Sequence, residues 1–264
     1  MSDARESVLE EDLRRRLTKK PLLLMSHLVV GHPSLDANWS MLEAMDAAGV
    51  DVVELQLPFS EPIADGPAFV KANHASIHAG VSWGEYFDLA ARAASRFSFN
   101  IVFMGYYNSA FRMGAETFCS RLAESGARGF IIPDLPLEEA GELSAHGHAR
   151  DLDPIFIMTP TNSPARLAQI GRQASGFVYC AARKGVTGRR TDLSEGVSDF
   201  LNRCRAATSV PLGLGFGISS PSDVQALRGQ ADLAIVGTAG LRAWEDGGER
   251  GYRRFVEDLV AQTL

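Results

Sequence analysis

Eight short apolar segments recur along the 264-residue chain, and turns rich in Gly, Pro and Asp lead from them into longer amphipathic stretches. Strands that alternate with helices predict βα units and a parallel sheet. Eight such units in a chain of this length favour a (β/α)8 TIM barrel, formed as a single domain over residues 1–264. The alternative, a doubly wound open sheet, would usually carry a nucleotide-binding fingerprint after its first strand, and the sequence has none. The predicted strands are Leu22–Val30, Val52–Leu57, Ile101–Gly105, Gly129–Ile132, Pro154–Met158, Phe177–Ala181, Pro211–Gly215 and Leu233–Val236.

An extra helix is predicted before the first strand. Leu9, Leu13 and Leu17 recur at intervals of four residues, so they share one face of this helix. The arginines of Arg14–Arg16 each follow an acidic residue by one turn, an order that favours ion pairs on a solvated face. We therefore expect the leucine stripe to cover one end of the barrel.

Composition excludes several functional classes. Hydrophobic residues make up 45% of the chain, enough for a packed core, and the net charge of −6 argues against general nucleic-acid binding. No apolar run approaches the roughly 18 to 20 residues that span a bilayer. The first residues also lack the apolar segment of a secretory signal. We expect a cytoplasmic protein that binds neither nucleic acid nor a membrane.

The sequence offers no recognisable metal-binding pattern. The cysteines Cys119, Cys180 and Cys204 are scattered and fit a reducing compartment. His74 and His78 could share one face of a helix, but zinc would need further ligands, and no metal-binding motif accompanies them. No metal site is therefore expected.

The second predicted strand carries a carboxylate at a position typical of barrel enzymes. Side chains alternate between the two faces of a strand, so Val53, Leu55 and Leu57 form an apolar face suited to packing under helices. Glu54 and Gln56 then face the barrel interior near the C-terminal end of the strand, the end that supplies the catalytic groups of barrels. Burial raises the pKa of a carboxyl group, and a raised pKa suits a general acid or base working near neutral pH.

A second carboxylate follows in the connecting loop. Asp65 lies where proline and glycine punctuate the chain, and such a loop could aim its side chain over the barrel mouth. Spacing alone leaves another interpretation open, in which Glu54 forms an ion pair inside the barrel and Asp65 caps the helix that starts at Pro67. The sequence pattern does not decide between the two.

A phosphate site is predicted at the turns after the last two strands, because barrels bind phosphate there through free backbone N–H groups. Gly217 and Gly237 would let the backbone approach the anion closely, and Thr238 would add a hydroxyl donor. Gly188, in the loop after the sixth strand, could close over the phosphate. Ordinary turns between strands and helices also favour glycine, and this second interpretation stays open.

A long motif follows the second strand, and shorter motifs follow other strands. The long one is Glu54-Leu55 with Pro58-Phe59-Ser60, Pro62 and Ala64-Asp65-Gly66-Pro67. The shorter ones are Gly31 and Pro33, Tyr106 and Asn108, Pro133-Asp134-Leu135-Pro136, Gly185-Val186-Thr187-Gly188, Gly215-Phe216-Gly217-Ile218-Ser219 and Gly237-Thr238-Ala239. Taken in order, these motifs resemble the tryptophan synthase α subunit family. The similarity covers roughly residues 20–245.

The resemblance implies a lyase that needs no cofactor. The family cleaves indole-3-glycerol phosphate to indole and glyceraldehyde 3-phosphate by a retro-aldol reaction in L-tryptophan biosynthesis. The resemblance assigns the acid–base role to Glu54, and it assigns to Asp65 a contact with the indole N–H that stabilises the cationic ring. The substrate-binding residues that it implies are Tyr106, Tyr179, Thr187 and Phe216.

The resemblance also implies a partner. A tryptophan synthase β subunit would complete an α2β2 complex, and pyridoxal phosphate is expected only in that β partner. Loop closure and partner contact would then couple the two sites. Three alternatives stay open: a free-standing lyase, a subunit that binds ligand and activates its partner without catalysis, and a generic phosphate-binding barrel.

The chain departs from the family pattern at several positions. Gln56 stands where the family has a glycine, on the same inner face as Glu54, where a glutamine takes up space and can hydrogen-bond the Glu54 carboxylate. His27 stands where a phenylalanine would line the indole pocket, and Glu61 replaces an aspartate at the contacts with the β subunit. These departures indicate a divergent member.

Overall fold

Parallel strands surrounded by helices make up the computed structural model, which describes residues 7–182, 195–215 and 217–264. The strands are β1 (Leu23–Val29), β2 (Val52–Gln56), β3 (Asn100–Met104), β4 (Gly129–Ile131), β5 (Asp153–Pro154), β6 (Ile157–Met158), β7 (Val178–Ala181), β8 (Leu212–Gly215) and β9 (Leu233–Val236). The helices are α1 (Val8–Leu17), α2 (Leu35–Ala48), α3 (Pro67–His78), α4 (Trp83–Arg96), α5 (Tyr107–Met113), α6 (Ala115–Glu124), α7 (Gly141–His148), α8 (Pro164–Gln173), α9 (Glu195–Ala207), α10 (Pro221–Ala226) and α11 (Thr238–Val260), followed by a 3₁₀ turn (Ala261–Thr263).

The strands close into a cylinder. Hydrogen bonding follows the order β5-β4-β3-β2-β1-β9-β8-β7-β6, and the paired strands are parallel. The two edge strands belong to one segment, and the residues between them bond to both sides. The N–H of Ile155 donates to the carbonyl of Phe130 at 2.9 Å, and the carbonyl of Phe156 accepts from Tyr179 at 2.9 Å. The predicted TIM barrel is confirmed.

One predicted strand differs in detail. The sequence predicts a single strand over Pro154–Met158, whereas the structure has two short pieces, β5 and β6, which pair with different neighbours. Pro154 contributes to the break, because proline has no N–H to donate to a strand ladder.

The N-terminal helix closes one end of the barrel, as the leucine spacing predicts. Ser7 caps α1 by accepting the N–H of Glu10 at 2.9 Å. Leu9 and Leu13 are fully buried, and they join the apolar cluster inside the barrel with residues such as Val52 and Phe177. Removing these leucines from water stabilises the fold by roughly 2 kcal/mol per side chain.

The predicted alternation in β2 is also confirmed. Val53 and Leu55 are buried in the layer between the strands and the outer helices, whereas Val52 packs inside the barrel. Glu54 shares the parity of Val52, so the strand geometry alone turns its carboxyl group toward the interior.

Local chain signals set the ends of α2. Ser34 accepts the N–H of Ala37 at 3.1 Å and so begins the helix. Gly49 ends it with a left-handed φ of +88°, a backbone conformation that glycine adopts without steric strain.

In the described part of the chain, no helix combines the length and apolar character needed to cross a membrane.

A buried carboxylate ties α1 to the barrel. Asp51 is 1% exposed and accepts the N–H of Leu24 at 2.9 Å. It also forms ion pairs with Lys20 at 2.7 Å and with Arg16 at 3.4 Å. These contacts hold the end of α1 against the N-terminal ends of β1 and β2.

The substitution Asp51→Ala should therefore lower the free energy of unfolding by roughly 3 kcal/mol, because the Leu24 N–H loses its acceptor and Lys20 loses its counter-charge. Urea denaturation followed by circular dichroism measures the change. Asp88→Ala removes a carboxylate from the exposed face of α4 and should change the free energy by less than about 0.5 kcal/mol. Equal losses in the two variants would contradict the role given to Asp51.

Candidate active site

Glu54 lies inside the barrel at the C-terminal end of β2. It is 3% exposed, and its Oε2 atom has no hydrogen-bond partner among residues 7–182, 195–215 and 217–264. Its other carboxyl oxygen, Oε1, lies 3.7 Å from Nδ1 of His27 on the neighbouring strand β1. A buried polar atom without a partner is rare in proteins, and a catalytic role is one of the reasons for which such an atom is retained.

Burial changes the acidity of this group. The pKa of Glu54 is raised to about 8, mainly because burial penalises the charged form and secondly because the charge of Asp65 is close by. At neutral pH most of the group is therefore protonated, and a useful fraction is ionised. Both forms are available to a reaction that needs an acid and then a base.

The ion-pair interpretation of Glu54 is wrong. The only basic group paired with it in the described residues is the His27 ring, and burial lowers the pKa of His27 to about 3. The imidazole is therefore neutral at physiological pH and supplies no counter-charge.

Asp65 lies in the loop between β2 and α3. The N-cap position of α3 belongs to Gly66, with Pro67 as the first helical residue, so the alternative role of Asp65 as the cap is also wrong. Its Oδ2 atom instead accepts hydrogen bonds from Nε2 of Gln56 at 2.6 Å and from Nδ2 of Asn73 at 3.4 Å. The carboxylate thus points back toward the barrel mouth.

Two opposing effects act on Asp65. Burial raises the pKa of Asp65 above its ordinary value, although the hydrogen bonds from Gln56 and Tyr106 favour the ionised form and limit the rise. Glu54, by contrast, has no such donor in the described residues. When the two acids share one negative charge, Asp65 is therefore the better place for it.

Two of the predicted substrate-binding tyrosines border this acid pair. Tyr106 follows β3, its hydroxyl oxygen accepts the N–H of Ala64 at 3.1 Å, and its ring stacks on Phe59 with centroids 5.0 Å apart. Tyr179 lies on β7 and packs against the cluster inside the barrel. The pKa of Tyr179 is raised by burial and by the nearby charges of Glu54 and Asp65. Burial and the charge of Asp65 raise the pKa of Tyr106 as well, so both rings stay un-ionised.

The predicted phosphate turns lie side by side. Gly217 follows β8 with φ of +78°, and Gly237 follows β9, the strand paired with β8. Gly237 also precedes α11, whose first residue is Thr238, so the unpaired N–H groups of that helix start here. A Cβ atom on Gly237 would lie 3.1 Å from the ring of Phe69 and 3.8 Å from Nδ1 of His27. The Gly237 turn therefore adjoins the barrel wall on which His27 lies opposite Glu54.

Three of the predicted site residues lie outside the described part of the chain: Thr187, Gly188 and Phe216.

No group of three potential metal ligands occurs within the described ranges. His74 instead forms a hydrogen bond with the carbonyl of Ser60 at 2.9 Å.

One contact of Gln56 differs from the sequence-based prediction, and one residue that contacts Asp65 was not predicted. Gln56 bonds to Asp65 and His27, not to the Glu54 carboxylate. Asn73 was not singled out, although it is fully buried, accepts the Phe59 N–H at 2.9 Å and reaches Asp65. An asparagine on the buried side of a predicted helix is the signal that could have found it.

The fold and the site together define a class: a TIM-barrel enzyme with two acids in different environments at the C-terminal mouth and glycine-containing turns beside them. A family model described as "Tryptophan synthase alpha chain" matches residues 13–262. The chain belongs to the tryptophan synthase alpha chain family.

Relatives support this membership over nearly the whole chain. The tryptophan synthase alpha chain of Syntrophotalea carbinolica is 43% identical over 252 residues, covering 96% of this chain and 100% of the relative. That of Desulfotalea psychrophila is 43% identical over 251 residues, covering 95% and 99%. The fold matches a chain of Mycobacterium tuberculosis tryptophan synthase with a TM-score of 0.91 at 31% identity, covering 97% of this chain and 98% of that one. A chain of the tryptophan synthase α2β2 complex from Pyrococcus furiosus matches with a TM-score of 0.84 at 28% identity, covering 92% and 98%.

The raised pKa of Glu54 links folding to pH. A folded-state pKa of about 8 exceeds the ordinary value of 4.5, so the native state holds a proton that the unfolded chain releases between these values. Wild-type stability contributed by this group is present below pH 4.5 and is lost as pH rises toward 8.

The variant Glu54→Gln carries no titrating group at this position and should escape the loss. We expect its free energy of unfolding, relative to that of the wild type, to rise by roughly 3 kcal/mol between pH 5 and pH 8. Urea denaturation of both proteins across this range measures the difference. A difference that does not change with pH would show that Glu54 titrates near its ordinary value.

Proposed function

We propose that Glu54 and Asp65 carry out, in this chain, the retro-aldol cleavage of indole-3-glycerol phosphate to indole and glyceraldehyde 3-phosphate. As a tryptophan synthase alpha chain, the protein is a lyase of L-tryptophan biosynthesis. The observation that supports these roles is the state of Glu54, a buried carboxyl group with a pKa of about 8 beside a second, better-stabilised carboxylate.

The reaction breaks the bond between indole C3 and the glycerol C3′, and it needs two proton transfers. Protonated Glu54 delivers its proton to indole C3, and the ring becomes an indolenine-like cation. The Glu54 carboxylate then takes the proton of the 3′-hydroxyl, while the electrons of the carbon–carbon bond return to the ring. Indole and the aldehyde are released, and Glu54 regains its starting form. A pKa near the working pH favours both steps.

Asp65 stabilises the positive charge that develops on the ring between those steps. Positive charge spreads over the ring and its N–H once C3 is protonated, and an ionised carboxylate there stabilises it by on the order of 3 kcal/mol. The hydrogen bond from Gln56 favours the ionised form of Asp65 and orients it, so little reorganisation is needed at the moment of reaction.

The remaining parts of the site would hold the two ends of the substrate. Tyr106 and Tyr179 would form walls for the indole ring, which aromatic side chains contact well. The turns at Gly217 and Gly237 would present backbone N–H groups to the phosphate, with the hydroxyl of Thr238 as an added donor. The assignments of Thr187 and Phe216 to the substrate and of Gly188 to the phosphate stay predictions from the sequence.

A tryptophan synthase β subunit is the proposed partner, in an α2β2 complex, and pyridoxal phosphate is proposed only for that partner. Two of the similar structures come from tryptophan synthase complexes of Pyrococcus furiosus, which supports this assembly.

The proposed location is the cytoplasm, because all three cysteines are free and buried.

Glu54→Gln should lower the rate of indole formation by roughly 10²- to 10⁴-fold while leaving substrate affinity within a few-fold, because the variant keeps the shape but cannot exchange a proton. Indole release, with and without a β subunit, measures the rate, and calorimetry measures affinity. Asp88→Asn removes a charge from the exposed face of α4 and should behave like the wild type.

Wild-type protein that binds indole-3-glycerol phosphate but forms no indole under either condition would refute the catalytic assignment. The chain would then be a ligand-binding subunit that acts only through its partner.

Thr238→Val should raise KM by roughly tenfold and change kcat little, since it removes one donor to an anion that is bound equally in the ground and transition states. Steady-state kinetics with indole-3-glycerol phosphate measures both constants. Thr117→Val, on the exposed face of α6, is the matched control. A fall in kcat at unchanged KM would place Thr238 away from the phosphate.

A further inference from the structure

Two of the departures from the family pattern lie in contact. His27 is on β1 and Gln56 is on the adjacent β2, where the register sets His27 opposite Glu54 and Val29 opposite Gln56. The side chains point into the barrel, and Nε2 of His27 lies 2.9 Å from Oε1 of Gln56. The two polar residues that stand where the family has phenylalanine and glycine therefore form a single hydrogen-bonded pair.

The pair extends to Asp65, and with Asp65 ionised it has only one consistent direction. The amide nitrogen of Gln56 donates to Oδ2 of Asp65 at 2.6 Å, so the amide oxygen must face His27. His27 then carries its hydrogen on Nε2 and donates it to Gln56. The opposite orientation of the amide would set two oxygens against each other at 2.6 Å. The chain of donors therefore runs from His27 through Gln56 to Asp65.

The surrounding residues hold this chain of hydrogen-bond donors in place. Gln56 is fully buried, and the ring of His27 stacks on Phe69 with centroids 4.3 Å apart and planes 22° apart. Buried amide and imidazole groups of this kind are stable only when they are hydrogen-bonded, which the pair achieves. Because burial keeps His27 neutral, the direction of donation does not change near physiological pH.

We propose that His27 and Gln56 are positioning residues that orient the Asp65 carboxylate toward the ring of the bound substrate. This inference rests on the proposed role of Asp65. Among the donors to Oδ2, Gln56 at 2.6 Å is closer than Asn73 at 3.4 Å, so Gln56 holds this oxygen more strongly, while Tyr106 also donates a hydrogen bond to the carboxylate. His27 acts through Gln56, because it holds the amide in the rotation that turns the nitrogen toward Asp65.

The location predicts a particular kinetic effect. Asp65 is needed when positive charge develops on the ring, so a misoriented carboxylate weakens transition-state binding more than substrate binding. Loss of the pair should therefore lower kcat rather than raise KM. A residue that served only stability would change neither constant in the fraction of protein that is folded.

The experiment uses Gln56→Met, which keeps the length of the side chain but has no N–H donor, together with His27→Phe and the double variant. Each is assayed with its β subunit, and circular dichroism checks folding. We expect kcat to fall roughly 10- to 100-fold in Gln56→Met, with KM within about threefold of wild type. In the double variant the losses should not add, because both substitutions break the same chain. Gln169→Leu, on the exposed face of α8, is the control.

A wild-type kcat in Gln56→Met, or losses that add fully in the double variant, would overturn the inference. Nitrogen NMR of labelled histidine gives a readout that needs no turnover. The signal absent from His27→Phe should report a neutral ring with hydrogen on Nε2, and Gln56→Met should shift it. Hydrogen on Nδ1, or no response to Gln56→Met, would also overturn the pairing. Wild type that forms no indole would instead refute the proposed function, while the NMR result would still decide the pairing.

Discussion

The enclosure of one carboxyl group inside an apolar cylinder is the constraint on which the site depends. Glu54 cannot turn away from the barrel interior, because strand parity and the packing of Val53 and Leu55 under the helices fix its direction. Burial then makes ionisation expensive and brings the pKa of Glu54 to about 8. A structural feature that usually destabilises a protein thereby supplies a proton donor and acceptor at neutral pH.

The second acid, Asp65, is surrounded by hydrogen-bond donors, in contrast to Glu54. Asp65 stands on a loop held to the barrel by Asn73, and its carboxylate accepts hydrogen bonds from neutral donors. No cation neutralises it in the described residues, so in the proposed reaction its charge would be available to an electron-poor ring. Two identical functional groups are thus suited to different roles, because among the described residues one has no donors and the other has them.

Much of the architecture was predictable because it depends on local periodicity. The alternation of apolar strands and amphipathic helices identified the barrel, the leucines of α1 identified its cover, and the period of two in β2 turned Glu54 inward. The interrupted fifth strand was predicted less well, since the break at Pro154 depends on which neighbour each half can pair with. The contact between His27 and Gln56 was not predicted, because residues far apart in sequence meet only through strand register.

The amino-acid sequence by itself determined the barrel, the inward face of β2, the two acids and the motifs of the family, because each is recorded in residue type and spacing along the chain. Only the tertiary structure decided the burial and the hydrogen-bond partners of those acids. It alone showed that Glu54 has no counter-charge within the described ranges, while Asp65 is held by Gln56. Burial, pKa and hydrogen-bond direction depend on groups from several strands, and the closed cylinder is what brings those groups within a few ångströms of one another.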